Sequence, residues 1–495
     1  MSILTHKDSR VELRPIQIST LLEVEKLFSD YQVIVLNLPV ASGKSQIGLT
    51  IAKWAERHKK MSSALLVPNN ILLTQYSKDT LTPILHGVYE SKCIDPEYKS
   101  CGERKQIADA NNSSKKKKEQ LPLHCTNCPF RKKESRFYLK YKFNYITNFY
   151  KYLSLKKHYK DTASRDLLIM DEAHTLIDTI KDLNTHHLWS HDFDYTPYKS
   201  IPALVTALKN TQLDPEGSNV YQNIITALSH NPPLYITKIE PNATHRGEVS
   251  PRMVVSPLTT DGIPNPLWNK NTKLIFMSAT LGKEDIKELG LSGRKWAYIS
   301  AESIIPPENR PVISVGVEYV SGTNLLDSAG KLAEEIKYLA EHHKEEKGLI
   351  HATYSQAKEL KKHLPSARFL HHNRYDKKQV FNTYINSPDP VILIASGMYE
   401  GIDLPYDKGR WQCIAKVPYL NLGEPSVKYK SQSEPDWYQW QAVKTLLQAS
   451  GRICRGPDDY GVTYMLDANF NKLYQRTADM WPEWFKESVT IIEKG

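Results

Sequence analysis

A short apolar run that leads straight into Gly43-Lys44-Ser45 constrains this chain more than any other feature. Val33–Leu38 reads as a buried strand, Pro39, Val40, Ala41 and Ser42 as a tight loop, and Gly43–His58 as a helix. A strand, loop and helix in that order aim backbone N–H groups and a helix N-terminus at one point, which suits a phosphate. Lys44 can then reach the β- and γ-phosphates of a triphosphate, and the Ser45 hydroxyl can ligate Mg²⁺. Leu38 stands where the usual pattern has its first glycine. Taken alone, Gly-Lys-Ser after a strand is also compatible with an ordinary loop.

A second run narrows the choice. Leu167–Met170 reads as a strand that ends in Asp171-Glu172-Ala173-His174. Asp171 can hold Mg²⁺ through water, and Glu172 can polarise an attacking water as general base. Two acids at a strand tip otherwise cap a helix. Their place downstream of the Lys44 loop favours the nucleotide reading.

At 495 residues the chain has room for two to four domains. Ala64–Val67 and Lys273–Met277 continue the strand-like runs of the first half. Gly348–Ile350, Val391–Ala395, Cys413–Val417 and Val462–Leu466 repeat the style in the second half, with helical patterns at Leu325–Lys344 and Trp437–Ala449 between them. Strands alternating with helices predict parallel α/β sheets, one in 1–290 and one in 300–495. Pro306, Pro307 and Pro311 suit a linker near the boundary. Two stretches look like insertions into the first sheet: the Lys-rich 86–140, and 181–268, rich in Pro, Asn, His and Tyr. No repeat suggests a solenoid. No run of about 18 apolar residues predicts a membrane span. Met1–Arg10 is polar, so secretion is not expected and an intracellular, soluble protein is. The formal net charge of +10 fits a polyanionic partner without requiring one.

Six cysteines are present, and Cys93, Cys101, Cys125 and Cys128 crowd into the first insertion. In a long chain without a signal core this reads as a metal site rather than a disulfide framework. Four thiolates suit zinc or an iron–sulfur cluster, and spacing alone does not decide between them. Cys413 and Cys454 stand apart and read as small buried hydrophobes. Just after the cluster, Phe130, Phe137, Tyr138, Tyr141 and Phe143 interleave with Arg131, Lys132, Lys133, Arg136, Lys140 and Lys142. That mixture suits a single strand of nucleic acid stacked on aromatics, and equally a packed core with a basic rim.

The motifs together resemble helicase superfamily two, and within it the DinG/XPD (Rad3-type) iron–sulfur DNA helicases. Asp171-Glu172-Ala173-His174 is its DEAH signature. Arg14-Pro15-Ile16-Gln17 resembles the entry motif that senses the nucleotide, and Val67–Gln75 resembles motif Ia. Tyr145-Ile146-Thr147-Asn148 is similar to the segment ahead of the DEAH strand. Met277-Ser278-Ala279-Thr280-Leu281 resembles motif III, Gly348–Tyr354 motif IV, Glu400-Gly401-Ile402-Asp403-Leu404 motif V, and Gln448–Gly456 motif VI. The matches keep the family's order from residue 14 to 456.

The resemblance implies two RecA-like motor domains that cleave ATP between them. Gln17, Pro39, Ala41, Ser42, Gly43, Lys44, Ser45, Gly401 and Asp403 would bind ATP. Lys44, Asp171, Glu172, Gln448, Arg452 and Arg455 would be catalytic, the two arginines as fingers lying at i and i+3 on one helical face. His174, Ser278 and Thr280 would couple nucleotide state to domain closure. Asn69, Thr147, Asn148 and Thr353 would line the DNA track. Residues 86–140 would form an iron–sulfur domain, with a [4Fe–4S] cluster on Cys93, Cys101, Cys125 and Cys128 and Zn²⁺ as the alternative, and 181–268 a reduced arch. The family usually has glycine where Ala41 stands. The implied partners are single-stranded DNA and forked or tailed duplexes, with 5′→3′ movement.

Overall fold

The structure, a computed structural model, describes residues 2–7, 12–39, 42–79, 82–85, 142–159, 162–198, 200–211, 215–230, 235–245, 248–373, 375–399 and 402–492. Cys93, Cys101, Cys125 and Cys128, the aromatic–basic stretch up to Tyr141, Ala41 and Gly401 lie outside these residues.

The first domain is built on strands β1 (Val33–Asn37), β2 (Ser63–Val67), β3 (Tyr145–Asn148) and β4 (Leu167–Asp171). After an insertion containing β5 (His186–Trp189), β6 (Tyr235–His245) and β7 (Glu248–Pro257), the chain returns as β8 (Lys273–Ser278) and β9 (Trp296–Ser300). The main sheet is parallel in the order β3-β2-β4-β8-β1-β9. β1, β2, β3 and β4 are buried at every residue. Side chains on both faces of such a sheet are covered, which is why Val33–Leu36, Ala64–Val67 and Leu167–Met170 are continuously apolar instead of alternating. β9 belongs to this sheet although an end at 290 would leave it out. It is a sheet-edge strand with alternating burial, and its short half-polar pattern does not stand out in the sequence.

The second domain has β10 (Val312–Glu318), β11 (Gly348–Ala352), β12 (Phe369–His371), β13 (Ile392–Ser396), β14 (Trp411–Ile414), β15 (Val462–Asp467) and β16 (Val489–Ile491). Their order is β12-β13-β11-β14-β15-β10-β16, again parallel. The helix Leu325–His342 covers this sheet with Leu332, Ala333, Ile336, Leu339 and Ala340, a stripe of helical period. The strand expected at Cys413–Val417 begins and ends earlier. Beyond Ile414 the backbone bends away, and Val417 N–H donates to the buried Asp467 Oδ2 at 2.8 Å.

The insertion 181–268 is ordered by local pairing. β5, β7 and β6 form an antiparallel sheet in the order β5-β7-β6. With the helices Ile201–Asn210 and Pro215–Leu228 it shares one apolar core with the first sheet, in which Leu188, Leu204, Ile224 and Val255 join Val33 and Phe276. No helix among the described residues is long and apolar enough to cross a membrane.

The two domains meet through buried charge. The helix Lys283–Glu288 follows β8 and carries Asp285 and Glu288, both buried. Glu288 Oε1 accepts from Lys181 Nζ at 2.6 Å and Lys430 Nζ at 2.9 Å, and its Oε2 from Trp437 Nε1 at 2.8 Å. Asp285 accepts from Trp440 Nε1 at 3.0 Å and Lys444 Nζ at 3.3 Å. These last four partners stand on the helices Pro425–Ser433 and Pro435–Ser450 of the second domain. Burial raises the Glu288 carboxyl, but Lys181 and Lys430 outweigh it and bring it down to about 2. Lys430 is only 3% exposed, so removing its partner strands a charge. Glu288→Ala is therefore expected to destabilise the protein by about 3–5 kcal/mol. A lower urea midpoint than wild type would register this. An unchanged midpoint would show that the carboxylate does not hold the domains.

Candidate nucleotide site between the two domains

Strand order explains why the site assembles. β4, β8 and β1 are neighbours, so their C-terminal ends deliver Asp171-Glu172, Ser278 and the Lys44 loop side by side. In open parallel sheets such ends are where ligands bind.

Gly43 caps the helix Lys44–Trp54 at φ +76°, in the left-handed region. A Cβ there would lie 2.2 Å from Gln17 Nε2, so glycine is needed for backbone conformation and for space. Gln17 Nε2 donates to Gly43 O at 3.2 Å, while its Oε1 accepts from Arg14 N at 2.9 Å. The entry motif thereby braces the loop from behind. Ser42 Oγ is buried without a hydrogen-bond partner among the described residues.

Lys44 Nζ lies 3.0 Å from Glu172 Oε1. Glu172 sits at φ +47°, a conformation a non-glycine residue adopts at a cost of order 1–3 kcal/mol and one that concentrates at functional sites. Burial pushes its carboxyl up, but Lys44, His174 and Arg452 outweigh this and hold it below the usual range. Asp171 moves the other way. Burial and the neighbouring Glu172 raise it, against the pull of Lys44. Its Oδ1 accepts from Glu172 N at 2.9 Å and its Oδ2 from the Tyr76 hydroxyl at 2.8 Å. Ser45 stands in the first turn of the helix Lys44–Trp54 and Asp171 at the C-terminal end of β4. A hydroxyl and a carboxylate are the hard oxygen donors that Mg²⁺ takes, so the residues fit that ion.

A relay of side chains leads from these acids to the second domain. His174 Nδ1 lies 3.4 Å from Glu172 Oε2 and 3.0 Å from Ser278 Oγ. Burial lowers the His174 pKa to about 4, so the ring is neutral near pH 7. Ser278 Oγ accepts from Thr280 N at 3.1 Å, and Thr280 Oγ1 accepts from Gln448 Nε2 at 3.4 Å. Gln448 is at the end of the helix Pro435–Ser450.

Arg452 and Arg455 differ from expectation. The helix ends at Ser450, so they do not share a helical face; Cys454 between them takes φ +58°. Arg452 donates to Gln448 O at 2.9 Å and Ile402 O at 3.0 Å, and its charge reaches Glu172. Arg455 pairs with Asp403 and donates to Gly451 O at 2.8 Å. The fully buried Asp459 fixes this loop by accepting from Arg455 N at 2.8 Å and Arg410 Nη1 at 2.9 Å.

The four expected track residues sit at strand ends, but they are not equally presented. Asn69 is exposed, with Oδ1 accepting from Leu72 N at 3.0 Å. Thr353 caps the helix Tyr354–His363. Asn148 donates to Asn70 Oδ1 at 2.6 Å. Thr147 is fully buried and donates to Leu85 O at 2.7 Å, so its hydroxyl supports the sheet edge and faces no strand. Tyr76, Asp459, Asp285 and Glu288 escaped the sequence reading. Only Tyr76 left a signal there, an aromatic one turn after Leu73 on the helix Asn70–Asp79.

Comparison with known proteins agrees with this arrangement. Residues 331–488 match the model of the helicase C-terminal domain, and residues 10–210 that of the type III restriction enzyme, res subunit. The chain is 30% identical over 103 residues to the general transcription and DNA repair factor IIH helicase subunit XPD of Dictyostelium discoideum, covering 19% of this chain and 13% of that protein. It is 24% identical over 240 residues to the ATP-dependent DNA helicase YoaA of Escherichia coli, covering 45% and 37%. With the regulator of telomere elongation helicase 1 homolog of Caenorhabditis elegans it shares 30% over 79 residues, 16% of this chain and 8% of that one. The matched part therefore spans well under two thirds of these relatives. In fold the chain is similar to an XPD helicase, with a TM-score of 0.60 at 15% identity, covering 97% of this chain and all of that one. The Xpd4 structure from S. tokodaii gives 0.56 at 13%, covering 97% of this chain and 100% of that one. Both sheets are thus RecA-like.

Proposed function

We propose that the chain is a DinG/XPD-like protein of the Rad3 helicase type, and that it hydrolyses ATP between its two RecA-like domains to move on single-stranded DNA and part a duplex. One observation carries the reading. The Lys44–Glu172 pair of the first domain is joined through His174, Ser278 and Thr280 to Gln448 of the second.

Lys44 leaves Glu172 for the β- and γ-phosphates, and the N-terminus of the helix Lys44–Trp54 faces the same charge. Ser45 and Asp171 would hold Mg²⁺, which neutralises phosphate charge when bound. Glu172 orients and deprotonates water. Once Lys44 moves to phosphate, the main influence lowering Glu172 is gone, so its basicity rises as the substrate arrives. Arg452 and Arg455 meet the γ-phosphate from the second domain. Gly401 and Asp403 line the cleft, and Pro39, Ala41, Ser42 and Gly43 wrap the phosphates. His174, Ser278 and Thr280 transmit the change. Asn69, Asn148 and Thr353 face the strand.

Cys93, Cys101, Cys125 and Cys128 would bind a [4Fe–4S] cluster in 86–140, as their order and position suggest, with Zn²⁺ as the alternative. Iron against zinc content of protein purified without air separates the two. The sheet and helices of 181–268 would serve as a reduced arch, and the net charge of +10 favours a polyanionic track.

Duplexes with one single-stranded tail test the reading. ATP-dependent strand separation is expected with a 5′ tail and not with a 3′ tail. Hydrolysis without separation of either would make the chain a translocase or remodeller, and no hydrolysis would make it a nucleotide-controlled scaffold.

A further inference from the structure

We propose that Tyr76 is a positioning residue that ties the metal-binding oxygens of the nucleotide site to the strand-binding surface, an inference that rests on the nucleotide-site reading above. Tyr76 is 1% exposed, and its hydroxyl donates at 2.8 Å to Asp171, one of the two side chains assigned to Mg²⁺. Asp171 has two oxygens and two fixed donors, Glu172 N on Oδ1 and Tyr76 on Oδ2. The two bonds set the carboxylate plane, and outer partners of this kind typically contribute 10- to 100-fold to metal affinity.

The helix that carries Tyr76 starts at the surface proposed to meet DNA. Asn69 Oδ1 caps it at Leu72 N, and Asn70 Oδ1 accepts from Asn148 Nδ2 at 2.6 Å, so two strand ends are joined at its first turn. Asn70 and Tyr76 are six residues apart on the helix Asn70–Asp79, or about 9 Å at the α-helical rise. A continuous helix is stiff over that length. Load placed on Asn69 and Asn70 by a bound strand turns or shifts the same rod that holds the hydroxyl. Since linkage is reciprocal, a strand that changes metal-nucleotide affinity must itself bind differently when the metal-nucleotide is present.

The experiment uses the full chain and a fluorescent ADP, titrated with Mg²⁺ and without it, each with and without oligothymidylate. Tyr76→Phe keeps the buried ring and removes the hydroxyl. It is expected to raise the Mg²⁺ half-point for nucleotide binding about tenfold or more, by the outer-partner magnitude above. Metal-free nucleotide binding should stay at the wild-type level, which also reports an intact fold. Oligothymidylate should shift the wild-type half-point and leave that of the variant unmoved. A variant with the wild-type half-point overturns the proposal. So does equal loss of metal-free binding, the mark of a merely structural tyrosine, and so does an oligothymidylate shift as large as in wild type. Wild-type protein that binds no nucleotide at all would instead sink the reading of the site on which the proposal rests.

Discussion

Glu172→Gln is expected to lower ATP turnover by about 10²–10⁴-fold, the usual contribution of a general base, while nucleotide affinity stays level or rises. The geometry supports both halves. Glutamine fills the same volume and can still accept from its neighbours, but it cannot take a proton. Glu172 also holds Lys44 at 3.0 Å, so the triphosphate must compete with a carboxylate for that ammonium. Removing the charge frees Lys44 and takes a negative group away from the γ-phosphate. Single-turnover hydrolysis and a binding titration read the two effects separately. A variant that turns over within a few fold of wild type would show that Glu172 does not handle the water.

Arg452→Ala is expected to lower kcat by about 10³–10⁵-fold with a much smaller change in KM, as for an arginine that meets phosphate only in the transition state. Arg452 is the stronger candidate of the two motif VI arginines in this arrangement. Its charge acts on Glu172 across the domain boundary, whereas Arg455 is engaged by Asp403. Arg452 also donates to Gln448 O and Ile402 O, so its loss could loosen the loop. Arg452→Lys separates the roles: it keeps the charge but not the planar fork, and should recover only part of the rate. A large rise in KM at unchanged kcat would place Arg452 in ground-state binding instead.

The sequence announced the centres of both sheets because parallel strands covered on both faces are apolar along most of their length. Val33–Asn37 and Leu167–Asp171 are buried throughout and read as strands at once. Three of the four edge strands of the parallel sheets carry no such run. Phe369–His371, Val489–Ile491 and Trp296–Ser300 are short and partly exposed, so their patterns look like loop. The nucleotide residues were legible because their order along the chain repeats a motif. Their support was not. Tyr76 reaches Asp171 over 95 positions, and Lys430 reaches Glu288 over 142. Contacts of that separation leave no local spacing to read. The helical spacing inferred for Arg452 and Arg455 failed for a related reason. It continued the period of the preceding helix, whereas Gly451 and the positive φ at Cys454 turn the backbone out of it.

The central claim is that two domains share one hydrolytic site whose work is spent on a nucleic-acid strand. Steady-state ATP hydrolysis by the full chain, with and without single-stranded DNA, tests it most directly. The account predicts Mg²⁺-dependent turnover that rises with single-stranded DNA and vanishes in Lys44→Ala. Turnover that ignores the strand, or that survives loss of Lys44, would contradict it.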